Sequence, residues 1–143
     1  MESEKKKRIV FGALLGISAL IIFLLTIQSP EGTMNLSETV RGFLTRNGIE
    51  CTAHQIRSFA HLPEFFLIGL FLALFFSSLN KKPWLAVIVG LLIGTADECL
   101  RIFLPTREFD PHDLIRDYIG VIIGVAFALL LRYLSKRKPN SIK

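Results

Sequence analysis

Apolar residues in this chain lie in long, nearly uninterrupted blocks, and several of these approach the roughly 20 residues that a helix needs to cross a bilayer. The first block covers residues 9–27 and carries no charge. The second, about 62–79, contains a single acid, Glu64. The third, 84–104, contains Asp97, Glu98 and Arg101, and the fourth, about 113–134, is fully apolar from Tyr118 to Leu131. With 51% hydrophobic and 20% charged residues, the chain is more apolar than a soluble domain, where about a quarter of residues are charged. This distribution excludes a disordered chain and a disulfide-stapled miniprotein, and it argues against a water-soluble enzyme. An all-α fold follows, because backbone groups cannot be left unpaired in lipid and helices pair them internally.

The expected architecture is therefore a polytopic membrane protein. One domain spans residues 1–143, with four transmembrane helices and a flexible tail at 135–143. The first block follows Lys5, Lys6, Lys7 and Arg8, as a signal peptide would. Its length exceeds the roughly 7–15 residues of a signal core, and no small-x-small site follows, so it reads as an uncleaved anchor. Lys and Arg set the orientation. A four-span arrangement puts eleven of them on one side, with two acids, in the N-terminal tail, the loop at Lys81 and Lys82, and the C-terminal end. Six arginines and ten acids fall on the other side. Both termini are thus expected in the cytoplasm of a multi-pass cell-membrane protein. The formal net charge of +5 becomes a topology signal, with no need for nucleic acid.

The outer segment between the first two spans has room for structure. Asn35-Leu36-Ser37-Glu38 fits a capping box, and Leu36, Val40, Phe43 and Leu44 share one helical face. A short amphipathic helix follows, lying on the outer membrane surface or as a lid on the bundle. Asp110-Pro111-His112-Asp113 has the form of a helix start, with a capping carboxylate before a proline. Gly12/Gly16, Gly90/Gly94 and Gly120/Gly124 are pairs that permit close helix packing.

Ionisable residues inside spans are costly, and they mark candidate sites. Asp97 lies thirteen residues beyond Trp84, roughly 20 Å along a helix. This places Asp97, Glu98 and Arg101 at the same outer depth as His61 and Glu64 of the second span and Asp113 and Asp117 of the fourth. The spacings of three and four put His61 with Glu64, Asp97 with Arg101, and Asp113 with Asp117 on shared faces. The candidate catalytic set is His61, Glu64, Asp97, Glu98, Asp113 and Asp117. Arg57, Arg101 and Arg107 are the candidate substrate-binding residues, because guanidinium groups grip anionic headgroups bidentately. Several chemistries stay open for this set. A His beside carboxylates is suited to acid/base catalysis, the same N and O donors to a divalent metal, and adjacent acids to proton carriage. A buried ion-pair network is the purely structural alternative. The cofactor, the metal and the oligomeric state stay open.

Three segments resemble the VanZ-like family. Arg57-Ser58-Phe59-Ala60-His61-Leu62-Pro63-Glu64-Phe65, followed by Gly69, is similar to its R-x-x-A-H-x-x-E-[YF] helix start. Asp97-Glu98 with Phe103, Pro105 and Arg107 resembles its D-E-x-x-Q-x-F-x-P-x-R segment, with Arg101 standing where the family usually has Gln. Asp113, Asp117, Gly120 and Gly124 resemble its closing D-x-x-[DN]-x-x-G-x-x-x-G. The resemblance implies a small polytopic protein of Gram-positive bacteria, associated with low-level resistance to the glycopeptide teicoplanin. The reading that follows is an outward-facing polar site that modifies or shields a cell-envelope component. Its partners are membrane lipids and a lipid-linked envelope substrate or a glycopeptide. The alternative is a membrane-embedded hydrolase or transferase of envelope lipid, with the same acids as base or metal ligands. A proton-coupled carrier comes last, since four spans lack inverted halves.

Overall fold

The computed structural model describes residues 2–28, 30–104 and 109–137, and they form five helices: α1 (Glu2–Ile27), α2 (Pro30–Arg46), α3 (Ala53–Ser78), α4 (Trp84–Ile102) and α5 (Pro111–Arg137). The protein is an all-α, multi-helix membrane protein. Helices α1, α3 and α5 are long and apolar enough to cross a membrane. Helix α4 falls outside that group because Asp97, Glu98 and Arg101 crowd its last two turns.

Helix starts follow local chemistry. Helix α3 opens with a capping box: the Thr52 hydroxyl accepts from the Gln55 backbone N–H at 3.2 Å, and the Gln55 side chain accepts from the Thr52 N–H at 2.9 Å. This start lies well before residue 62, so the polar stretch at 53–61 is helical and His61 sits beyond the second turn. Helix α5 begins at Pro111 as its sequence suggested, with the Asp110 carboxylate accepting from the His112 N–H at 2.8 Å. Helix α2 begins at Pro30, so Asn35 and Ser37 lie inside it instead of capping it. Its apolar Leu36 and Phe43 stay 51% and 67% exposed, which leaves that face uncovered by protein. The basic cluster Lys5–Arg8 belongs to the first turns of α1. Arg8 Nε donates to the Ser78 carbonyl at 2.9 Å, which ties the start of α1 to the end of α3.

Helices α3 and α5 make the most extensive contact. They run parallel, with Leu62 and Phe66 facing Gly120 and Gly124. A Cβ on Gly120 would lie 2.6 Å from the Leu62 carbonyl oxygen, and one on Gly124 would overlap the Phe66 carbonyl. Only hydrogen side chains permit this approach. The Gly12/Gly16 pair behaves differently. Gly12 meets Phe75, while nothing lies within 4 Å of a Cβ on Gly16. Around the crossing, Phe65, Ile68, Leu72, Val121, Val125 and Ala128 form the core with Ile22 and Ala86. Helix α1 touches this core along the single stripe Ser18, Ile22 and Thr26. The α4 face Ala86, Gly90, Gly94, Asp97, Glu98 and Arg101 is buried against the bundle. Polar and apolar parts of α4 thus point the same way, and only their height along the helix separates them.

Candidate functional site

The end of α4, the start of α5 and the third turn of α3 converge, and six of the ionisable side chains they carry are nearly shut off from solvent. His61, Asp97, Glu98, Arg101, Asp113 and Asp117 are each 6% exposed or less. Position along each helix explains the convergence. Parallel α3 and α5 present His61 and Asp117 at one level, and antiparallel α4 brings Asp97, Glu98 and Arg101 up to the same level from its far end. The structure therefore brings together six of the nine candidate residues in one buried cluster.

Arg101 lies at its centre. Its Nη2 is 3.2 Å from Asp97 Oδ2 and 2.9 Å from His61 Nε2. Its Nη1 is 3.0 Å from Glu98 Oε1 and 3.4 Å from Asp113 Oδ2. A guanidinium can only donate, so His61 Nε2 accepts and Nδ1–H donates to Asp117 Oδ1 at 2.8 Å. The carboxylates are in turn held from outside the cluster. The Thr26 hydroxyl of α1 donates to Asp97 Oδ1. The Asp110 N–H donates to Glu98 Oε2 at 3.1 Å. Ser58 Oγ donates to Asp113 Oδ1 at 2.7 Å, and Arg116 Nη1 reaches the same oxygen at 2.7 Å and Ser58 Oγ at 2.6 Å.

This cluster is incompletely satisfied. Asp117 Oδ2 is buried without a hydrogen-bond partner, and Glu98 Oε1 has the charge of Arg101 near it but no hydrogen bond of acceptable geometry. A buried acceptor without a donor costs about 1–3 kcal/mol. Charge is also unbalanced. Asp97, Glu98, Asp113 and Asp117 face two arginines, Arg101 and Arg116. One ligand atom from each of His61, Asp97, Glu98 and Asp117 lies within 4.8 Å of the others, all four residues being buried. Four ligands set tetrahedrally about 2.1 Å from one metal ion lie about 3.4 Å apart, so atoms as much as 4.8 Å apart would have to close by about an ångström to complete a one-nitrogen, three-oxygen shell.

The remaining candidates stand apart from the cluster. Glu64 is half-buried and lines a cavity of about 130 Å³, together with the exposed Arg57. The same cavity reaches Thr26, His61 and Arg101, and Leu25, Leu36, Val40 and Ile56 form its apolar side. Arg107 lies outside the described residues. Cys51 and Cys99 are free thiols. The sequence puts Arg116 in the same outer layer of charges but gives it no site role, and it gives none to Thr26 or Ser58. Hydroxyls are cheap in an apolar helix because they bond to their own backbone, so Thr26 and Ser58 stand out only by their depth. Arg116 carried a usable signal, its spacing of three from Asp113.

The model of the VanZ/LLP1 family matches residues 10–132, most of the 143-residue chain and every element that contributes to the cluster. No curated protein and no solved structure matches the chain.

Proposed function

The chain belongs to the VanZ/LLP1 family, and from that premise we propose that it is a metal-dependent, membrane-embedded hydrolase or transferase of an envelope lipid. The observation that carries this reading is the buried His61, Asp97, Glu98 and Asp117 set, with Asp117 Oδ2 left unpartnered inside it. One nitrogen and several carboxylates suit a divalent ion such as Zn²⁺ or Mn²⁺. Such an ion supplies charge stabilisation at a phosphoryl or acyl oxygen and lowers the cost of making hydroxide from water. It would also offset the acid excess that Arg101 and Arg116 leave.

The protein residues then divide the work. His61, Asp97, Glu98 and Asp117 would hold the ion, with His61 Nε2 giving up the N–H it accepts from Arg101. Asp113, tied to Ser58, Arg116 and Arg101, positions the last of these. Glu64 forms no hydrogen bond to a described residue and faces the cavity, so it is the group free to take and return a proton. Arg57 and Arg107 bind the anionic part of the substrate. Action on a lipid-linked envelope component is the route by which such a protein changes glycopeptide susceptibility.

We place the whole chain in one domain with α4 as a fourth span. Nineteen residues make about 29 Å of helix, close to the roughly 30 Å hydrocarbon thickness. Its outward residues Ile88, Leu92 and Leu100 are apolar and exposed, while its three ionisable groups point into the bundle. Both termini then lie in the cytoplasm, and the site opens outward.

Metal analysis of protein in lipid nanodiscs, equilibrated with Zn²⁺ or Mn²⁺ and then washed, tests the proposal. About one ion per chain is expected, falling at least tenfold in His61→Ala and Asp117→Asn while helix content is kept. No ion above background and no turnover of envelope lipid extract by the wild type would overturn it.

A further inference from the structure

The cavity beside the cluster has two unlike surfaces. Leu25, Leu36, Val40 and Ile56 are apolar, whereas His61 and Arg101 are the cluster itself. A small water-soluble substrate has no use for the first surface, and a plain hydrocarbon has none for the second. Size narrows the occupant. A volume of about 130 Å³ compares with the roughly 150 Å³ cavity that holds one benzene molecule, so a phosphate-sized group fits and a long chain does not. Whatever chain is attached must therefore stay outside.

The molecule provides a place for that chain. Leu36 and Val40 border the cavity yet are 51% and 38% exposed, and Phe43, on the same helical face, extends the uncovered apolar surface of α2. Helix α2 makes its main contact with α3, so this surface is not claimed by the bundle. Arg57 borders the cavity and is exposed, Arg101 borders it from within, and Glu64 is the one acid among the described residues that also borders it. Arg101 is already matched by Asp97, Glu98 and Asp113, so Arg57, which forms no ion pair with a described residue, is the cation that favours an anion there, and Glu64 disfavours one with more charge than Arg57 can match.

We propose that the cavity beneath α2 admits the phosphate-bearing end of a single-headed anionic lipid, which enters sideways from the membrane while its chain lies along α2. This deepens the metal-dependent reading by naming the substrate class, and it rests on that reading for the chemistry but not for the binding.

Binding of radiolabelled dodecyl phosphate to the full chain in zwitterionic nanodiscs tests it. Saturable binding of about one per chain is expected. Val40→Trp fills the cavity from an exposed position, so it should fold and bind at least tenfold more weakly with metal content unchanged. Arg57→Gln should weaken dodecyl phosphate several-fold. Dodecanol and millimolar inorganic phosphate should each fail to compete. Wild-type binding by Val40→Trp overturns the proposal, as does competition by inorganic phosphate, which marks a free-anion site, or by dodecanol, which marks a purely apolar one. Intact dodecyl phosphate binding without any bound metal ion would instead leave this inference standing and remove the metal-dependent one.

Discussion

At the scale of single residues, Arg101 decides what the cluster is. It contacts Asp97, Glu98, Asp113 and His61 at once, so it is both the glue of the network and the cation that a metal ion would have to accommodate. Removing one partner of a buried ion pair costs about 3–5 kcal/mol, because the other charge is left uncompensated. Arg101→Ala should therefore lower the thermal unfolding temperature clearly in detergent, and added divalent ion should restore part of the loss. Arg101→Gln retains an amide donor, so its loss should be smaller, and its affinity for the ion should rise about tenfold once the competing charge is gone. An Arg101→Gln protein that binds metal no better than the wild type would speak for a purely structural network. The acids themselves were legible from sequence, since an ionisable residue in an apolar run is conspicuous. The pairing was not. That His61 leans on Asp117 while Arg101 takes its other nitrogen depends on the rotation of three helices, and no periodicity within one helix reports it.

At the scale of elements, glycine spacing reported where helices could touch but not where they do. Gly124 and Gly16 sit in equivalent patterns, yet a side chain on Gly124 would run into the Phe66 backbone and one on Gly16 into open space. Backbone cannot yield as a side-chain tip can. Gly124→Val is thus expected to destabilise by about 1–3 kcal/mol or more, as overpacked sites do. Gly16→Val should stay within about 0.5 kcal/mol. Denaturant unfolding in mixed micelles measures both. Boundaries were less legible than element types for a related reason. The stretch 53–61 lacks apolar density, so hydropathy alone starts the helix near residue 62. The Thr52–Gln55 capping box starts it at Ala53 instead. The same polar turns carry Arg57, Ser58 and His61 to the site, which is why the missed boundary and the missed Ser58 belong together.

At the scale of the whole molecule, the number of crossings controls which side the site faces. Helix α4 is the element in question, because its charges are what keep it out of the group of evidently spanning helices, while burial within the bundle is what makes those charges tolerable in lipid. If α4 spans, the loop at Lys82 and the segment at Phe109 lie on opposite faces of the membrane. If it does not, they lie on the same face. Single cysteines distinguish these arrangements after Cys51 and Cys99 are replaced by Ser. Lys82 and Phe109 are both exposed, so cysteines there are reachable by a membrane-impermeant maleimide on whichever side they face. In intact cells, Phe109→Cys should label and Lys82→Cys should label only after permeabilisation. Equal labelling of the two would return α4 to the membrane surface, and the reversed pattern would place the cluster at the cytoplasmic face. The reversed pattern would separate the site from outer-leaflet lipid and from glycopeptides arriving outside, because the buried acids lie at one end of the bundle and cannot serve both leaflets.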